Sequence, residues 1–143
     1  MTNKAKPTPA QRHAVRVGSA RMLRDAREVL KAIREQLPTV PASDHRDALD
    51  MTLKAAEEVA ATIARHREPD WAAACALLDA TERLSVAAAG GWPNPGLMAL
   101  MFGAHQGLGM ARLATHEAER RSKRHSRRTT SSMAAQLRTL AAQ

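Results

Sequence analysis

Six histidines and fourteen acidic residues among 143 positions are enough to build a metal centre or an acid–base pair, provided that their spacing brings them together. A carboxylate-bridged two-metal bundle needs Glu-x-x-His pairs facing inward one turn apart, and the sequence has none. The stretch HEAER from His116 has the start of a zinc-protease helix, but Arg120 stands where the second histidine must be. His105 and His116 share a helix face with Arg112, yet eleven residues separate them by about 16 Å along a helix axis, too far to ligate one ion.

The other chemistry-bearing types lead to equally plain roles. Asp50, Lys54 and Glu58 are spaced by four, which describes a ladder of surface ion pairs along one helix. Cys75 is the lone cysteine and sits in AAACALL, where the expectation is a small buried side chain. It excludes an intramolecular disulfide and a zinc site built on several cysteines. Ser19 and Ser85 have no nucleophile elbow around them, and no glycine loop of Walker or Rossmann type occurs. The expectation is a protein that is not an enzyme, with no catalytic residues, no metal ligands and no cofactor.

Charge is the stronger signal. Residues 1–37 carry nine Lys/Arg against three acids, residues 38–119 six against eleven, and residues 120–143 seven against none, so the overall +8 divides into +6, −5 and +7. The segment RRSKRHSRR, Arg120 to Arg128, puts six of those bases into nine positions. Such cations suit a polyanion or an acidic protein surface. On the first helix Arg16, Arg24, Arg27, Lys31 and Arg34 fall within a sector of roughly 100°, with Glu28 and Glu35 near enough to neutralise part of it. Base-specific reading is not expected: the break at REPD is short enough for a helix-turn-helix, but the helix after it opens on acids and alanines, and its first base is Arg83. One Phe and no Tyr leave out the stacking platform of the common RNA modules.

The elements that must hold these residues are all helical. Thr8 and Pro9 open a first helix that runs from Pro9 or Ser19 to Leu37, with Val15, Met22, Ala26, Val29, Ile33 and Leu37 as its apolar stripe and Gly18 as a bend. Ser43 or Asp44 caps a second helix to about Arg67, on the stripe Leu49, Leu53, Ala56, Ala60 and Ile63. Asp70 caps a third, striped by Ala73, Leu77, Ala80, Leu84 and Ala87 and stopped by Gly90 and Gly91. Asn94 and Pro95 start a fourth, in which Leu97, Met101, Ala104, Leu108 and Ala111 face inward while Gly103 and Gly107 admit a close neighbouring backbone. A short fifth helix, capped by Ser131 or Ser132, is expected to present Met133, Leu137 and Leu140. With 30 alanines and three aromatic residues, the core must consist of closely spaced helices.

The fold class expected is therefore all-α, a mostly antiparallel four-helix bundle. Residues 1–8 form a flexible basic tail, 9–118 the bundle domain, and 119–143 a basic extension with the fifth helix. The N-terminus has no apolar signal core, and the most apolar run, Leu97 to Leu113, is too short and polar to span a bilayer. A reducing cytoplasm is the expected compartment, and the Ala/Arg-rich, Tyr-free composition suits a GC-rich bacterial genome. The leading functional expectation is a small binding protein that meets nucleic acid by sequence-independent phosphate contacts, within a larger complex or as a homodimer joined through an Ala/Gly face. Its contacts are Arg120, Arg121, Lys123, Arg124, Arg127 and Arg128, with Arg24, Arg27, Lys31 and Arg34 on the first helix. The alternative is a regulatory or inhibitory protein that binds another protein through Trp92, Met133, Leu137 and Leu140. A membrane-surface role ranks third, because the apolar side of the first helix is needed for the core.

Overall fold

The computed structural model describes residues 6–89 and 94–141, and for 122, 125–136 and 138–141 the backbone alone. Four α-helices follow one another: α1 Pro9–Gln36, α2 Asp44–Arg65, α3 Trp71–Ala89 and α4 Pro95–Ala141, with one 3-10 turn over Leu37–Thr39. Each start has a side chain that satisfies orphan N–H groups. Thr8 forms a full capping box, its hydroxyl accepting from the Gln11 N–H while the Gln11 side chain accepts from the Thr8 N–H. Ser43 accepts from the Arg46 N–H, Asp70 from the Ala73 N–H, and Asn94 from the Gly96 N–H. The Pro38 and Pro41 breakers lie just past α1, as the sequence requires.

Contacts fix the direction of every helix. Arg34 of α1 meets Asp50 and Glu57 of α2; Gln36 at the end of α1 donates to the Ala88 carbonyl at the end of α3; Cys75 and Glu82 of α3 meet Arg112 and His105 of α4. The topology is thus up-down-up-down, an all-α four-helix bundle. The core is aliphatic and thin: Met22, Ala26, Val29 and Ile33 of α1, Leu53 and Ala60 of α2, Leu77 and Leu78 of α3, Met101, Ala104 and Leu108 of α4.

The closest seam joins α1 to α4. A Cβ on Gly18 would lie 2.5 Å from the Gly107 carbonyl oxygen, and one on Gly107 would lie 2.6 Å from the Gly18 oxygen and 2.8 Å from the Met22 nitrogen. Backbone touches backbone there. Gly18 therefore does not bend α1, which runs unbroken through it; its role is to let α4 in. Ala111 completes the seam beside Gly18.

Four other expectations are corrected. The stripe of α3 is shifted by one residue: Leu77 and Leu84 are buried as expected, but the small residues that join them are Ala74, Thr81 and Ala88, with Ala73, Ala80 and Ala87 only half-buried. The Thr81 hydroxyl is satisfied by the Leu77 carbonyl, so a polar residue fits the core there. Rotating the stripe turns Cys75 outward, where it is exposed and accepts a weak contact from Arg112 at 3.6 Å. The Ala/Gly face of α4 is spent on α1 and is not open to a second copy. Finally, the segment 131–141 is not a separate fifth helix but the end of α4, which continues through the basic run because no Gly or Pro interrupts residues 110–141.

Candidate nucleic-acid interface

Helix register decides which bases stand together. Gly18 lies against Gly107 and Ala111, and Asp25 against Gly103, so Pro9 at the start of α1 comes level with about Ala118 of α4. From there α4 continues for about 33 Å past the first turn of α1. Arg120, Arg121, Lys123 and Arg124 lie on this reach, all exposed. Arg127 and Arg128 follow on the same helix, and their side chains lie outside the described residues. Among the described residues none of the four exposed cations makes an ion pair, and Glu117 and Glu119, one turn earlier, are the nearest acids on their own helix.

The bases of α1 fare differently. Arg34 is held by α2: its Nε donates to the two Glu57 carboxylate oxygens at 3.0 and 3.1 Å, its Nη2 pairs with the same carboxylate, and its Nη1 reaches Asp50 at 3.3 Å. The hydrogen bond to Glu57 raises the Arg34 guanidinium above its ordinary value, and partial desolvation opposes it. Asp50 also accepts from Lys54 at 3.0 Å, and this bond, followed by that from Arg34, holds its carboxyl below the usual range. The expected ladder on α2 is thus a cross-helix cluster, and Glu58 makes no ion pair among the described residues. Arg24 pairs with buried Asp25 at 3.2 Å, and Arg21 reaches the same carboxylate at 3.8 Å. Glu28 and Glu35, expected to neutralise the sector, make no such pairs among the described residues. Arg27 and Lys31 remain exposed beside a small cleft that Arg34 and Glu57 also line.

The two basic groups lie far apart, since Arg27 is level with about residue 101 of α4 and Arg124 is about 35 Å further along. Two other bases stand closer to the α4 reach, Arg16 of the α1 sector and Arg12, which the sequence did not single out. Arg12 and Arg16, in the first turns of α1, line an apolar cleft of about 1010 Å³ with Arg67, His66 and Trp71, and its α4 wall, Ala114, Thr115 and Ala118, ends just before Arg120. Their proximity follows from antiparallel pairing, which no one-dimensional charge count contains. The cleft is electrically mixed, because Glu58, Glu68 and Asp70 line it too, and the Ser19 hydroxyl on its wall is buried without a hydrogen-bond partner among the described residues.

The protein-contact residues give less. Leu137 is 66% exposed. Met133 and Leu140 belong to the helix, but their side chains lie outside the described residues, as does Trp92 entirely. Among the described residues no three His, Cys, Asp or Glu side chains group to hold a metal, and no helix is long and apolar enough to cross a membrane. No family model, curated protein or solved structure matches this chain.

Proposed function

We propose that the chain is a non-enzymatic, cytoplasmic nucleic-acid-binding module, whose grip is the C-terminal reach of α4 and whose bundle serves as its mount. The supporting observation is the exposed series Arg120, Arg121, Lys123 and Arg124 on a helix that has run past its neighbour α1, while the acids that neutralise α1, namely Asp25, Asp50 and Glu57, lie at the other half of the bundle. Contacts from these arginines and the lysine to phosphate fix position without reading sequence. Arg27 and Lys31 provide a second, weaker contact; Arg34, clamped by two carboxylates, contributes least.

The test is fluorescence anisotropy of a mixed-sequence duplex across a salt series. Four phosphate contacts give a log K against log[salt] slope of about −3.6, and six give about −5. Replacing Arg120, Arg121, Lys123, Arg124, Arg127 and Arg128 by Ser is expected to remove most of the affinity and flatten the slope, whereas Arg34→Ser leaves both nearly unchanged. Binding that survives the six-fold replacement refutes the reading. Exposed Leu137 favours a second one, an interface with another polypeptide, in which a partner stays bound after nuclease treatment and is lost on Leu137→Asp.

A further inference from the structure

Three glycines of the bundle are explained by what touches them: Gly18 and Gly107 by the opposing backbone, and Gly103 by the Asp25 carboxylate, which a Cβ would meet at 2.4 Å. Gly109 is not. A Cβ there would meet nothing within 4 Å, so the fold of one chain gains nothing from a residue that weakens an exposed helix. Around Gly109 lies an apolar surface of α4. Met98, Phe102 and Leu113 are 53%, 65% and 59% exposed, and all three fall with Gly109 within a sector of about 60° on the side away from the core. This strip is bounded on the α3 side by His105 near Glu82 and on the α1 side by Gln106, which accepts from Arg21 at 3.2 Å.

The strip is symmetric about its own centre. Met98 and Leu113 are equidistant from the midpoint between His105 and Gln106, and so are Phe102 and Gly109. We infer that this face is a homodimer interface, in which α4 packs antiparallel on α4 of a second copy, Phe102 of each chain filling the space over Gly109 of the other and Met98 meeting Leu113. A two-fold axis through that midpoint makes both halves identical, as an isologous contact requires. Large against absent side chain lets the helices approach closely, and it gives the exposed glycine its purpose. No acid lies on α4 between Pro95 and Ala114 and only Arg112 is a base, so like charges do not oppose the contact.

With Met110, 39% exposed at the edge, the apolar side chains offer roughly 400 Å² per chain. Doubled, and with the flanking polar residues added, the interface reaches roughly 1,200 Å², the lower end for a specific complex, so a dissociation constant on the order of 10–100 μM is expected. The arrangement goes beyond the nucleic-acid reading and does not rest on it. It sets the Arg124 residues of the two chains about 55 Å apart along the paired helices, one basic reach at each end.

Sedimentation velocity on nuclease-treated full-length protein tests it. The sedimentation coefficient should rise from monomer to dimer over that concentration range, and Phe102→Ala and Gly109→Glu should each weaken association at least tenfold with unchanged helical circular dichroism. A monomer at several hundred micromolar, or variants that associate like the parent, overturns the inference. The register has its own readout: with Cys75→Ser as background, Phe102→Cys and Gly109→Cys proteins should cross-link under mild oxidation when mixed and not when alone, because only the mixed pair brings Cα atoms within disulfide reach of about 7 Å. Cross-linking of Phe102→Cys with itself, or none in the mixture, overturns the pairing. The salt slope on duplex is measured separately, so either proposal fails without the other.

Discussion

Replacing Gly107 by alanine separates local helix preference from tertiary contact. On an exposed helix the change is favourable by about 0.8–1 kcal/mol, because glycine is the poorer helix former. At Gly107 the added methyl would stand 2.6 Å from the Gly18 oxygen and 2.8 Å from the Met22 nitrogen. A carbon–oxygen contact settles at about 3.3 Å or more, so α4 must back away from α1 by about 0.7 Å. Both atoms in the way belong to a helix backbone and cannot rotate aside. A gap of that size forfeits about a quarter to a half of the dispersion energy of contacts along the seam, and overpacking of this kind costs about 1–3 kcal/mol. Net of the propensity gain, Gly107→Ala is expected to lower stability by about 1–2 kcal/mol. Gly109→Ala, two residues on and meeting nothing, should raise it by nearly 1 kcal/mol. Urea unfolding followed by circular dichroism in dilute protein measures both. If Gly107→Ala matches or exceeds the parent, the close approach of α1 and α4 is wrong, and with it the register that places the basic reach of α4.

The same seam predicts a graded response at Gly103, where the obstacle is the Asp25 carboxylate, a movable group: Gly103→Ala should cost less than Gly107→Ala, and Asp25→Ala should suppress part of that cost, a double-mutant coupling of about 0.5–2 kcal/mol in urea titrations. Acid should weaken the α1–α2 cluster. The folded-state value of Asp50 lies below its ordinary 3.8, so the folded chain binds that proton less readily than the unfolded one; the stabilisation is fully present above 3.8 and is lost as pH falls through the lower folded value. The urea midpoint of the parent should therefore drop more steeply with acidification in this window than that of Asp50→Asn, and equal slopes would contradict the cluster.

Much of the bundle can be read along the chain because capping and periodicity act over three or four residues. Thr8, Ser43, Asp70 and Asn94 start the four helices where their hydrogen-bonding side chains meet orphan N–H groups, and the stripe of α4 and those of α1 and α2 are buried as their spacing requires, except that Val15 and Ile63 are only half-buried and line the large cleft. The shortfall on α3 has a local cause. In a run as rich in alanine as AAACALLDA, several adjacent phases are almost equally apolar, so only packing against the neighbouring helices, α2 included, chose Ala74 over Ala73 and turned Cys75 to solvent. The expected fifth helix rested on Ser131 or Ser132 as a cap, but a serine starts a new helix only where the preceding one stops, and no Gly or Pro stops α4 before it.

The sequence by itself determined that the chain is helical, which side chains can cap its helices, and that its cations crowd toward two ends, since these are properties of neighbours and of composition. Tertiary structure alone decided the fate of each group: Arg34 is neutralised by Glu57 and Asp50, Arg12 and Arg16 come beside the reach that carries Arg120, and of the α4 glycines 103 and 107 serve the core while 109 faces outward. The reason is that electrostatic and steric energies depend on distances in space. Antiparallel pairing sets those distances between residues dozens of positions apart, a separation over which spacing along one chain holds no information.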